Sequence, residues 1–168
     1  MRRVLMAGAL GAALLGAGCA ARSTVDPAAF ELTAWEASGE ARTQARGWAS
    51  DAELQYVEGA AVTNDGTVLP DAGYWRFVYR ADSRSQQYVV TVTSTSVDGE
   101  ERVPQGPPGF VIGDATLGTD WIDSPRVVDA LEPFGDATRV HMILVPTTPA
   151  RWIVGDVEVN ATTGEILH

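Results

Sequence analysis

The chain has 168 residues, 45% hydrophobic and 20% charged, with 17 Gly, 9 Pro and one Cys. These proportions exclude collagen-like, low-complexity and disulfide-scaffold chains, and a single cysteine excludes both an intrachain disulfide and a multi-cysteine zinc site. The formal charge is −10, carried against 12 arginines and no lysine, a balance that repels phosphate backbones and argues against nucleic acid as a partner.

The first element is an address. Met1-Arg2-Arg3 precedes the apolar run Val4 to Leu15 and the small residues Gly16-Ala17-Gly18, the pattern of a secretory signal peptide over residues 1–18. Twelve helical residues span about 18 Å, short of the roughly 30 Å hydrocarbon core, so the run is no transmembrane anchor. The one cysteine, Cys19, stands where the leader ends, and this ending resembles a bacterial lipoprotein lipobox, with Gly16 where Leu is usual and Leu15 one step earlier. The same residues fit ordinary cleavage after Ala20. An unpaired thiol in an oxidising export compartment favours acylation instead, which adds about 0.8 kcal/mol per buried methylene. Residues 19–33 then form the lipid anchor and tether, and Ala20 after the cysteine resembles outer-membrane sorting, with the domain facing the periplasm.

Between Thr33 and Ser50 the set Ala41, Ala45, Trp48, Ala49 and Ala52 marks one helix face, with Thr33 and Glu36 at capping-box spacing. The period then changes to two. Ala52, Leu54 and Tyr56 alternate with polar residues, Trp75, Phe77 and Tyr79 alternate with Arg76 and Arg80, and Tyr88 to Val92 is rich in β-formers. Asn64-Asp65-Gly66, Pro70 to Gly73 and Asp98-Gly99 are turn signals, so residues 34–103 predict a helix and a three- or four-stranded antiparallel meander.

Residues 104–123, beginning Pro104-Gln105-Gly106-Pro107-Pro108-Gly109, form a connection that neither helix nor central strand tolerates. The order of elements then recurs over 124–168. Ser124 is placed to N-cap, Pro125 suits the first helical position, Val127, Val128 and Leu131 give an apolar face, and Pro133 and Gly135 stop the helix. Arg139 to Val145 alternates Val140, Met142 and Leu144 against Arg139 and His141; Trp152 to Val159 is a further strand, and Asn160 to Gly164 turns. The fold class expected is α+β, two helix-plus-antiparallel-meander units packed as one domain, built by internal duplication.

The ending Trp152-Ile153-Val154, then Val157-Glu158-Val159-Asn160-Ala161-Thr162-Thr163-Gly164-Glu165-Ile166-Leu167, resembles the close of a PepSY unit, with Trp75 to Tyr79, Tyr88 to Val92 and Asp98-Gly99-Glu100 as a diverged first copy. The resemblance implies cystatin-like α+β modules over residues 34–168 and a role in binding or regulating an envelope peptidase. Two other roles stay open, binding of a small apolar ligand and scaffolding of an envelope assembly.

No constellation points to catalysis, a metal or a cofactor. Asp123, Ser124 and His141 could be written as a triad, but helix capping explains the first two and strand alternation the third. His141 and His168 are too few for a metal cage, and the Asp-Gly pairs lack the ligand spacing of a calcium loop. Trp48, Trp75 and Trp152 are assigned to the core, while Trp35 and Trp121, in looser segments, are the candidates for a partner surface.

Overall fold

The computed structural model describes residues 32–131 and 139–167. The leader, Cys19 and most of the tether lie outside the described residues, as do Pro133, Gly135 and His168. Two helices, α1 (Ala34–Trp48) and α2 (Ser124–Ala130), accompany seven strands: β1 (Glu53–Val62), β2 (Tyr74–Arg80), β3 (Gln87–Val92), β4 (Val97–Arg102), β5 (Val140–Val145), β6 (Arg151–Val154) and β7 (Val157–Asn160). They form a mixed α and β architecture on one antiparallel sheet of order β4-β3-β2-β1-β5-β6-β7. Each helix is thus followed by a meander that runs outward from the centre, where β1 and β5 pair antiparallel.

Helix α1 begins as its sequence predicts. The Thr33 side chain accepts from the Glu36 N–H and the Glu36 carboxylate accepts from the Thr33 N–H, closing the capping box. Its buried face is an alanine ridge, Ala34, Ala37, Ala41 and Ala45, each fully buried. Small side chains let the helix approach a sheet face carrying the bulky Trp75, Phe77 and Tyr79, so that ridge and rings together fill the core. Trp48 stays half-buried, stacked at 5.2 Å on Tyr88 with its indole N–H donated to Glu101. Helix α2 starts one residue earlier than expected: Asp123, not Ser124, is the N-cap and Ser124, not Pro125, the first helical residue, because the Asp123 carboxylate accepts from the Ser124 N–H.

Three strand expectations change. A bulge between Leu54 and Tyr56 breaks the Ala52, Leu54, Tyr56 alternation. Leu54 and Val57 therefore pack toward the helices, while Tyr56 joins Val78 and Val89 in a small second cluster. Asp98-Gly99 does not turn the chain but lies inside β4, and the reversal comes earlier, over Thr93–Ser96. Gly99 is needed there for room, since a Cβ would stand 2.0 Å from the Tyr88 hydroxyl. Residues 152–159 are two strands, not one, folded into a β6–β7 hairpin whose Gly155 has φ 59°. The closing turn is as read: Asn160 Oδ1 accepts from the Thr162 and Thr163 N–H groups, and Leu167 bonds back to Glu158 along the β7 edge.

Four tryptophans form a chain that runs from the core out to the surface. Trp75 and Trp152, both fully buried, meet edge to face at 6.2 Å; Trp121 follows at 5.9 Å from Trp152, and Trp35 at 5.9 Å from Trp121. Beside them burial holds the Tyr79 hydroxyl well above its ordinary pKa, with Arg42 opposing the shift. A raised pKa means that the folded state keeps its proton more tightly than the unfolded chain. That contribution to stability is present below pH 10 and lost as pH rises past it. Urea titrations across that range should show stability falling, and Tyr79→Phe should flatten the slope.

Candidate functional site

With both helices on one side, the other face of the sheet is the broad surface free of helices. Along β1, β2 and β5 the alternation that sends Trp75, Phe77, Met142 and Leu144 into the core sends Glu58, Arg76 and His141 out. Register brings these three together. One oxygen of Glu58 accepts from Arg76 Nη1 at 2.9 Å and the other lies 2.9 Å from His141 Nε2. Both oxygens of the carboxylate are therefore engaged, and the group is a clamp between strands. Next to it Val140, His141, Ile143, Ile153 and Gly155, with Pro108 and Phe110 from the long connection, line an open trough of about 570 Å³.

The Pro-rich connection folds over the other half of this face. Its anchor is a pair of buried glutamines, Gln55 and Gln87, 4% and 5% exposed. Gln87 Nε2 donates to Gln55 Oε1 at 2.5 Å, Gln55 Nε2 donates to the Gly113 carbonyl at 2.9 Å, and Gln87 Oε1 accepts from the Gln105 N–H at 2.7 Å. Ile112 packs on Tyr56, Val78 and Val89, and the Tyr56 hydroxyl donates to the Gln105 carbonyl while accepting from Arg102. Burial raises the Tyr56 pKa, and the Arg102 guanidinium pulls it back in part. Under the strap is a cleft of about 450 Å³ lined by the glutamine pair, Arg80, Arg84 and Asp114. Replacing Gln87 with alanine strands Gln55 Oε1 and the Gln105 N–H; the expected loss is about 1–3 kcal/mol. Limited proteolysis should then cut within residues 103–114 and should leave the same segment of the parent intact.

The three triad residues are not brought together. Ser124 is fully buried, donating to the Gly66 carbonyl at 2.6 Å and accepting from the Ala34 N–H at 3.0 Å, and Asp123 accepts from the Trp35 N–H at 2.9 Å. His141 projects from the opposite face onto Glu58. Among the described residues no three His, Cys, Asp or Glu side chains gather as a metal site would require.

The two tryptophans expected to meet a partner separate. Trp121 is 4% exposed and contributes its ring to the core, so it presents no surface. Trp35 is 51% exposed, and its indole N–H donates to the Trp121 carbonyl at 3.0 Å. Trp121 is drawn inward because the segment after the strap pairs with the sheet's end, the Ile122 N–H donating to Ala161. Arg76 and His141 lie on polar strand faces, as their alternation predicts, but their meeting at Glu58 comes from register and is not predicted by it. The signal available was a lone carboxylate between Val57 and Gly59 within a strand.

Compared with family models, curated proteins and solved structures, the chain matches none.

Proposed function

We propose that this is an exported lipoprotein, held by acyl chains on Cys19 at the periplasmic side of the outer membrane. Its folded part is a duplicated PepSY-like module that binds and regulates a protein partner, an envelope peptidase being the class the resemblance implies. The single observation that carries the reading is a twofold relation in the strand register. Gly59 faces Trp75 across β1–β2, and Leu144 faces Trp152 across β5–β6. Matching those pairs matches Val57, Glu58 and Gly59 to Met142, Ile143 and Leu144, and the β1–β5 pairing then maps onto itself about the Glu58–Ile143 pair. Each tryptophan also spends its indole N–H alike, on the carbonyl two residues before its own helix: Trp75 on Leu32 at 2.8 Å, Trp152 on Ile122 at 3.0 Å. Two copies of one small pattern, with Asp123, Ser124 and the two indole N–H groups committed to the fold, favour recognition over chemistry as the role.

The anchor is tested by feeding cells a labelled fatty acid. Cys19→Ser should abolish labelling and release the protein from the membrane fraction; retained label overturns the anchor. Regulation is tested by adding the purified protein to envelope peptidases, where inhibition is the expected outcome and a panel left fully active counts against it. The apolar trough beside Ile143 and Ile153 supports a second reading, a site for a small apolar ligand. Native mass spectrometry of the purified protein would show such a ligand as added mass.

A further inference from the structure

Along the outer flank of α1 a groove runs between the helix and residues 116–121. Trp35, Ser38, Arg42 and Arg46 lie on one stripe of the helix and line it. Thr116, Leu117, Gly118 and Thr119 form the facing wall, and the groove divides into adjoining volumes of about 190 and 240 Å³ that share Ser38, Arg42 and Thr119.

Three independent features give it the character of a built site. The first is unspent positive charge. The chain carries 22 carboxylates against 12 arginines, and Arg76, Arg80 and Arg151 all have carboxylate partners. Arg42 and Arg46 have neither an ion-pair nor a hydrogen-bond partner among the described residues, although they stand one turn apart. The second is a tyrosine whose ring is buried and whose hydroxyl is left open at the groove. Tyr79 is 3% exposed, lines the inner volume, and its hydroxyl has no hydrogen-bond partner among the described residues. Arg42 is near enough to act on that hydroxyl's ionisation. The third is unspent backbone: Gly118 and Thr119 make no main-chain hydrogen bond among the described residues, whereas Leu117 and Ile122 on either side do. The one carboxylate lining the groove, Glu53, is 60% exposed and lies 4.0 Å from Arg80.

We propose that this groove binds the C-terminal carboxylate of an extended peptide. The anion would sit between the Arg42 and Arg46 guanidiniums and the Tyr79 hydroxyl, the peptide backbone along Gly118 and Thr119, and an apolar side chain against Trp35. Dimensions agree: seven helical residues from Trp35 to Arg42 rise about 10 Å, the length of three extended residues. A planar guanidinium pair suits a carboxylate, and Glu53 at the rim disfavours a more highly charged anion. Peptide binding here requires neither acylation of Cys19 nor inhibition of a peptidase, so its test can fail without touching either.

Calorimetric titration of the full chain in detergent with N-acetyl-Phe-Ala-Ala, as the free acid and as the carboxamide, tests it. The acid should bind and the amide should bind at least about tenfold more weakly, since a charge-assisted pair is worth more than one decade in affinity. Arg42→Gln should weaken the acid about tenfold, and Tyr79→Phe about threefold, with the Trp35 indole N–H resonance shifting only when the acid is added. Acid and amide binding alike, no binding at about 10 mM, or an Arg42→Gln, Arg46→Gln double variant with parent affinity would overturn the proposal. Acetate or inorganic phosphate binding as tightly as the peptide acid would overturn it too, because the groove would then read charge alone.

Discussion

Trp75→Ala should cost about 3–5 kcal/mol in urea unfolding, the range for emptying an aromatic site in a packed core. The side chain is fully buried, meets Trp152 edge to face, and closes the start of α1 by donating its indole N–H to Leu32. Its six-membered ring lies directly over Gly59, where an added Cβ would stand 2.3 Å from the ring. Gly59→Ala alone should therefore cost about 1–3 kcal/mol through overpacking. In a Trp75→Leu background the clash is gone, and the Gly59→Ala penalty should shrink to under about 1 kcal/mol, a coupling that a double-mutant cycle reads directly. Trp152→Ala should match Trp75→Ala to within about 1 kcal/mol, since the two rings do the same work in their halves. A Trp75→Ala variant as stable as the parent would mean that the tryptophan chain does not hold the two halves together.

The second large effect is expected at Gly66, where three separate parts of the chain are tied. Ser124 Oγ donates to the Gly66 carbonyl and accepts from the Ala34 N–H, joining the β1–β2 connection to the starts of both helices. Gly66 has φ 75°, and a Cβ there would fall 2.4 Å from the Pro125 nitrogen, a backbone atom that cannot step aside. Gly66→Ala should cost about 3 kcal/mol or more, combining strain at positive φ with the clash. Gly109 is the control, because its φ is 84° but nothing stands within 4 Å, so Gly109→Ala carries only the backbone strain of about 1–2 kcal/mol. Ser124→Ala should cost about 1–3 kcal/mol by leaving the Gly66 carbonyl and the Ala34 N–H without their partner. A thermal melt ranks all three.

Much of the element order was legible because the signals are local. The Thr33–Glu36 capping box, the Trp75, Phe77, Tyr79 alternation and the Asn160–Gly164 turn each concern groups within a few residues of one another, and each is in place. Their spacing alone specified a helix followed by antiparallel strands, twice over. Errors fell where a local preference met a distant neighbour. Asp98-Gly99 has turn composition, yet the Tyr88 hydroxyl and Gln44 across the core demand a glycine inside the strand. The β1 bulge sends Tyr56 to the far face because Ile112, from a loop more than fifty residues on, covers it there.

What the sequence by itself determined was therefore the kind of each element and which strand faces are apolar, since helix caps, turns and side-chain period are properties of adjacent residues. Only the tertiary structure decided which groups meet: Glu58 between Arg76 and His141, Gln55 against Gln87, and Arg42 and Arg46 beside Tyr79. Those meetings depend on strand register and on where α1 lies across the sheet, set by the alanine ridge fitting over the aromatic face, and no spacing along the chain encodes them.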